Sequence, residues 1–421
     1  MKKRPFGVSV FVTGALLLTL TGIAFGASQA RQAAPPPGEP VVPGASYASG
    51  LSAPYLTTAG APRRMAGAGI GAIGGALGKY AVAAGSKAGK AAGKKVKPRS
   101  LRIGYLDIIG GIESADRADN SLRVASQLLG AKWLYCDGQG TPTKWVTCGN
   151  SLLAQNIDIL ELTGIDPSTI PSVVAAAKAK HVPIVDFGGT VGPGYAAQFA
   201  PNEVKNGQIL ASYLKAKLAS QPGVSNIASI DYPAPWAQSR TAQLKSLVAA
   251  NSSKLKITVD ATTDPANLIA GTQKIVSDAL TADPTLKAIW VSFDTAGQAA
   301  GQTVLSKYPG KSFPNKPLVV TFHADPSTQG LMRAGAIDAV VDNNYDATAW
   351  ELANAVIEHF VRGTPFPAYG TSFKYPGIGD PMAYTIVSKG NLPKRTRSYV
   401  APPVDVVTYF TTKWHTEGLI K

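Results

Sequence analysis

Between residues 101 and 360 the chain alternates short, wholly apolar runs with segments whose apolar residues recur at helical spacing. Runs that are apolar throughout, not at every second position, are those of strands buried on both faces, as in a parallel sheet flanked by helices. The pattern predicts strands at 101–106, 132–135, 157–162 and 182–187, then at 226–230, 256–259, 288–293, 318–322 and 339–341. Between them it predicts helices at about 118–129, 168–180, 202–218, 237–250, 266–280, 297–307, 328–334 and 347–361, with a terminal helix near 404–414. Asp166-Pro167 supplies a cap and a first turn for the second of these. Several strands stop at a polar residue, which lines polar side chains along one sheet edge, where open α/β folds hold small ligands.

Roughly 320 residues of such pattern exceed one ordinary hydrophobic core, so two lobes are expected. The fold class is α/β: two Rossmann-like lobes with parallel sheets joined by a multi-strand hinge. The turn Gln221-Pro222-Gly223 marks the first boundary. The first lobe is expected over 100–221 with about 343–370, and the second over 222–342 with about 371–421. The Pro- and Gly-rich stretch after Arg362 suits a last hinge crossing.

Composition changes sharply ahead of this region. Met1-Lys2-Lys3-Arg4, an apolar run from about Phe6 to Phe25 and the triplet Ser28-Gln29-Ala30 form an export leader over 1–30. The run is also near the roughly 20 residues that span a bilayer, so an uncleaved anchor is the alternative. Residues 31–99 are rich in Ala, Gly, Pro and Lys and too poor in large apolar residues to offset ordering entropy, which makes them a linker. Within it, Gly69-Ile70-Gly71-Ala72-Ile73-Gly74 matches a dinucleotide-binding pattern but has no strand before it, so it counts as low complexity.

The formal charge of +15 does not imply nucleic acid, because residues 1–99 carry 13 basic residues against the single acid Glu39, and the rest of the chain 28 basic against 25 acidic. The basic linker either meets membrane or cell-wall polyanions or keeps the tail soluble. Cys136 and Cys148, the only cysteines, are expected to form a structural disulfide outside the cytoplasm. Neither they nor the scattered His181, His323, His359 and His415 make a metal site, and no cofactor is implied.

Four motifs together resemble the ribose-type (type I) periplasmic substrate-binding proteins of sugar ABC transporters. They are Ile157 to Leu162 with Ile165-Asp166-Pro167; Ala177 to Val185 with its Val182-Pro183-Ile184-Val185; Ala282 to Trp290 followed by Phe293-Asp294; and Arg333 to Ala339. The resemblance covers nearly all of 101–370. It implies ligand contacts at Arg240, on the helix after Asp231-Tyr232-Pro233-Ala234-Pro235-Trp236, at Asp294, and at Asn343 near a hinge crossing. There are departures too. The aromatic-bearing loop after the first strand is replaced by residues 108–114, the acid after the fourth strand falls at Gly188 with Asp186 two positions earlier, and another acid falls at His323.

A polyhydroxylated ligand needs ionised carboxylates as acceptors, a forked donor and aromatic rings over its C–H faces. Asp294 and Arg240 would supply the first two; Trp236, Tyr232, Phe293 and Tyr345 would supply rings. His323, Asp186, Asn343 and Glu113 complete the candidates. Each has a structural alternative: a helix cap for Asp294, a surface salt bridge for Arg240, lobe packing for the rings, and turn or core roles for the rest. No nucleophile and base pair is identifiable, so an enzyme is not expected. The implied function is an extracytoplasmic receptor, a monomer, that captures a small polar ligand, a sugar foremost, by hinge closure and delivers it to an ABC permease. A membrane- or wall-associated sensor of the same fold, and a nucleoside or small aromatic ligand, are the alternatives.

Overall fold

Two mostly parallel sheets carry the chain. The computed structural model describes residues 101–189, 194–367, 384–396 and 406–420, all within one unit, Gly38–Lys421. The leader, the linker and most of the Pro- and Gly-rich stretch after Arg362 lie outside the described residues. The first sheet contains β1 (Arg102–Asp107), β2 (Lys132–Asp137), β3 (Ile159–Thr163), β4 (Ile184–Phe187) and β5 (Ala197–Phe199) in the order β2-β1-β3-β4-β5, parallel throughout. The second contains β6 (Ser225–Asp231), β7 (Leu255–Thr262), β8 (Ala288–Val291), β9 (Leu318–Phe322), β10 (Ala339–Asn343) and β11 (Tyr384–Ser388) in the order β11-β10-β9-β8-β6-β7, with β11 antiparallel. The helices are α1 (Glu113–Leu128), α2 (Pro142–Ala154), α3 (Pro171–Ala179), α4 (Glu203–Leu218), α5 (Pro235–Ala249), α6 (Leu268–Ala282), α7 (Asp294–Lys307), α8 (Pro326–Arg333), α9 (Tyr345–Arg362) and α10 (Val406–Thr416).

Burial follows the sequence pattern. The interior strands β3, β8, β9 and β10 are buried along their whole length. The edge strand β7 alternates between covered and open positions, because helices cover only one of its faces. Helix α9 ends at Gly363, whose left-handed φ of 71° lets its amide turn back onto the Glu358 and His359 carbonyls.

Two helices sit on the lobe opposite to the one expected. The sequence boundary at residue 221 assigns helix α4 to the first lobe, yet its Leu210, Ala211, Leu214 and Leu218 pack with Ile227, Leu244, Trp290 and Phe322 of the second. The expected second lobe, with 371–421, includes helix α10, yet its Phe410 and Trp414 pack with Tyr105, Leu122, Phe199 and Trp350 on the first. Helix α9 shares that first-lobe core. The chain thus crosses between lobes after β5, after β10 and on both sides of β11. An apolar helix face records that a partner exists but not which sheet supplies it.

Three elements were absent from the sequence pattern: β5, β11 and α2. Helix α2 hides in a Gly- and Thr-containing stretch because its apolar face is short, with Cys148, Leu152 and Leu153 buried. Cys136 on β2 is bonded to Cys148 on α2, with S–S 2.02 Å and Cα atoms 5.6 Å apart. The bridge pins α2 to an edge strand. Its reduction should cost about 2–3 kcal/mol, the loop-closure value for a ring of this size, measured by urea unfolding with and without reductant.

Candidate functional site

The C-terminal ends of the parallel strands converge on one cavity of about 60 Å³. On that volume it holds the equivalent of roughly four to six waters, counted at 10–15 Å³ each. From the first lobe, its wall takes Ile108 and Ile109 after β1, Ile112, Ser114 and Ala115 at the start of α1, Thr163 and Gly164 at the end of β3, and Phe187 and Gly188 at the end of β4. From the second lobe come Tyr232 after β6, Trp236 and Arg240 on α5, Phe293 after β8 and His323 after β9, while Tyr345, which opens α9, belongs to the first-lobe core. In each sheet the strand order reverses beside these ends, at β1/β3 and at β6/β8, leaving the crevice in which such folds bind ligands.

Tyr232, Trp236 and Phe293 form an aromatic wall. The Tyr232 and Trp236 rings stack at 5.5 Å, and Phe293 lies 4.8 Å from Tyr232 and 5.5 Å from Trp236. Pro235 starts α5 at its first turn, which points residues one and five positions on, Trp236 and Arg240, to the same side. Ile112 and Ala115 of the first lobe pack onto this wall, which joins the lobes above the cavity.

Arg240 is buried and already paired. Its Nε and Nη2 donate to the two oxygens of Glu203 at 2.5 and 2.8 Å, and its Nη1 donates to the Ser292 carbonyl at 3.0 Å. The guanidinium stands 5.0 Å over Trp236 and 4.3 Å over Phe322. Nη2 also lies 3.3 Å from His323 Nε2. His323 adopts a left-handed backbone with φ 61°, which costs a non-glycine residue about 1–2 kcal/mol. Burial, with Arg240 and Arg117 nearby, pushes its ring well below the usual histidine range, so it is neutral.

Six of the ten candidates therefore meet at the cavity: Arg240, Trp236, His323, Tyr232, Phe293 and Tyr345. Four do not line it. Asp294, expected as the acceptor, is fully buried behind Ser114, whose hydroxyl bonds to it, and it accepts its neighbour Thr295 N at 2.7 Å at the start of α7. Asp186 accepts Gly189 N and Gln198 Nε2, shaping the turn after β4. Asn343 Oδ1 accepts from Asn206 at 3.0 Å at the hinge. Glu113 reaches across the lobes to the first turn of α8, accepting from Ser327 N and Oγ at 3.0 and 2.7 Å. The residues missed, Ile108, Ile109, Ile112 and Thr163 among them, are apolar or small; their one sequence signal was position at the end of a predicted strand.

A second bridge closes the lobes beside the cavity. Arg117 on α1 is fully buried and reaches Asp325 at 3.0 Å, Asp342 at 3.5 Å and Asp346 at 3.3 Å, and donates to the Asn343 carbonyl at 3.1 Å. Burial raises both Asp294 and Asp325, and for Asp325 the repulsion of Asp294 adds to it.

The first lobe also buries four carboxyls, of which only Asp119 has a cation, Arg123, nearby. Burial pushes Asp107, Asp119 and Asp186 up to about 7 and Glu161 up to about 8. Both Glu161 oxygens are without a hydrogen-bond partner. A carboxyl raised on folding binds its proton more tightly in the native state, so the stability it contributes is lost as pH rises towards its folded pKa. His323, held neutral, acts oppositely but only below its unfolded value near 6.5. Stability should therefore fall between pH 6.5 and 8.5, and Glu161→Gln should shrink that fall. Thermal unfolding across this range checks it; a flat or rising profile refutes it.

Comparisons with known proteins agree with this architecture. The sequence profile of the periplasmic binding protein domain matches residues 110–363. No curated protein matches the chain in sequence. Among solved structures, a carbohydrate transporter solute-binding protein from Agrobacterium radiobacter in complex with D-arabinose superposes with TM-score 0.57 at 16% identity, covering 70% of this chain and 96% of that one. An ABC transporter solute-binding protein from Agrobacterium vitis with bound allitol gives 0.60 at 16%, covering 75% and 100%. A Mycobacterium smegmatis protein in complex with β-D-fucofuranose gives 0.58 at 17%, covering 69% and 92%. At these identities the likeness is one of fold. The profile match, which takes in both lobes and every side chain of the cavity wall from Gly164 to Tyr345, settles the family: the chain belongs to the periplasmic binding protein domain family.

Proposed function

We propose that this protein is an extracytoplasmic solute receptor that closes its two lobes over a small molecule and delivers it to an ABC importer. The observation that carries the reading is the cavity itself, walled by both lobes at the strand ends of both sheets. Groups that meet only when the lobes are together, Arg117 with Asp325 and Glu113 with Ser327, are what a ligand-driven shift from open to closed requires. The solved neighbours with arabinose, allitol and fucofuranose bound make sugars and polyols the first ligands to try. The basic, apolar start of the chain supports export, and no helix among the described residues is long and apolar enough to cross a membrane.

The test is a thermal-shift screen across sugars, polyols, nucleosides and small aromatics, followed by small-angle scattering of the best hit. The expected result is a higher unfolding temperature together with a smaller radius of gyration on binding. A molecule whose radius ignores every stabilising ligand is not a closing receptor. The 13 basic residues ahead of residue 100 favour a second reading, a surface-attached sensor. Fractionation of the mature protein separates the two.

A further inference from the structure

We infer that the cavity is built for an uncharged molecule that lays an apolar ring face on the Tyr232–Trp236–Phe293 wall and presents hydrogen-bond acceptors to Trp236 Nε1 and His323 Nδ1. This deepens the receptor reading and rests on it. The charge argument comes first. The one ionic side chain among the described wall residues, Arg240, is held bidentately by Glu203 at 2.5 and 2.8 Å, so the pair contributes no net charge. No carboxylate among the described residues lines the cavity; Asp294 sits behind Ser114. A buried anion would find a cation already neutralised and a buried cation would find no carboxylate among the described wall residues, and either would lose hydration without a counter-charge.

The hydrogen-bond count gives the ligand's polarity. Ser114 spends its donor on Asp294, and Thr163 Oγ1 is paired with the Tyr105 hydroxyl. Arginine only donates, so His323 Nε2, 3.3 Å from Arg240 Nη2, is an acceptor and the ring's proton stands on Nδ1. That Nδ1 is buried without a partner, and so is Trp236 Nε1. Trp236 Nε1 also lies 3.8 Å from where a Cβ at Gly164, another wall residue, would stand. Four of the five Arg240 N–H groups are engaged by Glu203, Ser292 and His323. The buried side-chain atoms that the wall leaves without a partner are thus both donors, set beside ring faces. Hydroxyl, ether or carbonyl oxygens beside a C–H or aromatic face satisfy both.

Calorimetric titration with matched probes tests this: neutral pentoses, hexoses, polyols and aromatic amides, each against its acid and its amine, with D-fucose, D-galacturonate and D-galactosamine as one set and nicotinamide and nicotinate as another. The expected result is saturable binding confined to the neutral members, with the charged counterparts at least about tenfold weaker; which neutral set responds tells a sugar's C–H face from an aromatic one. Trp236→Phe keeps the ring and removes the donor, and should weaken binding about five- to tenfold. Glu203→Gln unmasks Arg240 and should shift preference towards the acid about tenfold. An acid or amine that binds as tightly as its neutral partner, or an affinity unchanged in Trp236→Phe, overturns the inference while leaving the receptor standing. Silence of every probe counts against the receptor and the inference together.

Discussion

Replacing Arg117 by methionine should remove about 3–5 kcal/mol of folding stability, the range for stripping one partner from a buried ionic cluster. Arg117 has no solvent exposure and lies within 3.5 Å of Asp325, Asp342 and Asp346. Burial works against its charge, but Asp346, Asp342 and Asp325 together outweigh that and hold the guanidinium firmly protonated. Methionine keeps most of the alkyl volume, so the loss reports on charge more than on packing. The carboxylates left behind would take up protons in the folded variant at a higher pH than in its unfolded chain. The deficit against the parent protein should therefore narrow as pH falls from 8 to 5. Urea unfolding at both values measures it; a deficit below 1 kcal/mol, or one that grows on acidification, contradicts the assignment. Because Arg117 links α1 to the loop after β9, the variant should also lose ligand affinity through poorer closure.

Trp414→Ala should cost a similar 3–5 kcal/mol, the usual range for a large aromatic removed from a core. Trp414 is fully buried, stacks on Trp350 at 5.5 Å, lies 5.7 Å from Phe410 and donates its Nε1 to Asn354 Oδ1 at 3.0 Å. The location of the damage is the sharper readout. Hydrogen exchange should rise in α1, α9 and the first sheet, which share this core, ahead of the second sheet. Loss of protection centred on β6 to β11 would mean that α10 belongs to the second lobe after all.

Most of the elements were legible in the chain for one physical reason: a strand covered on both faces must be apolar throughout, and a helix covering it must be apolar on one side. That constraint is local, so 101–106, 157–162, 288–293 and 318–322 could be read without knowing what covers them. Lobe membership could not. The apolar faces of α4 and α10 look the same whichever sheet they meet, and each packs on the lobe opposite to its expected one.

The site divides the same way. Strand-end position, set by the alternation of elements, pointed to Tyr232, Trp236, Phe293 and Tyr345, and the family resemblance to Arg240 and His323; these six do share one wall. Residue chemistry alone was a poorer guide. Asp294 is the acid best suited to accept a sugar hydroxyl, yet Ser114 stands before it; Arg240 is the best forked donor, yet Glu203 occupies it. Sequence determined where the chain would turn and which ends would face the crevice, because those follow from periodicity within a few residues. Tertiary structure alone decided which charges remain available there, since residues 37 positions apart, Glu203 and Arg240, cancel one another only once two helices have packed side by side.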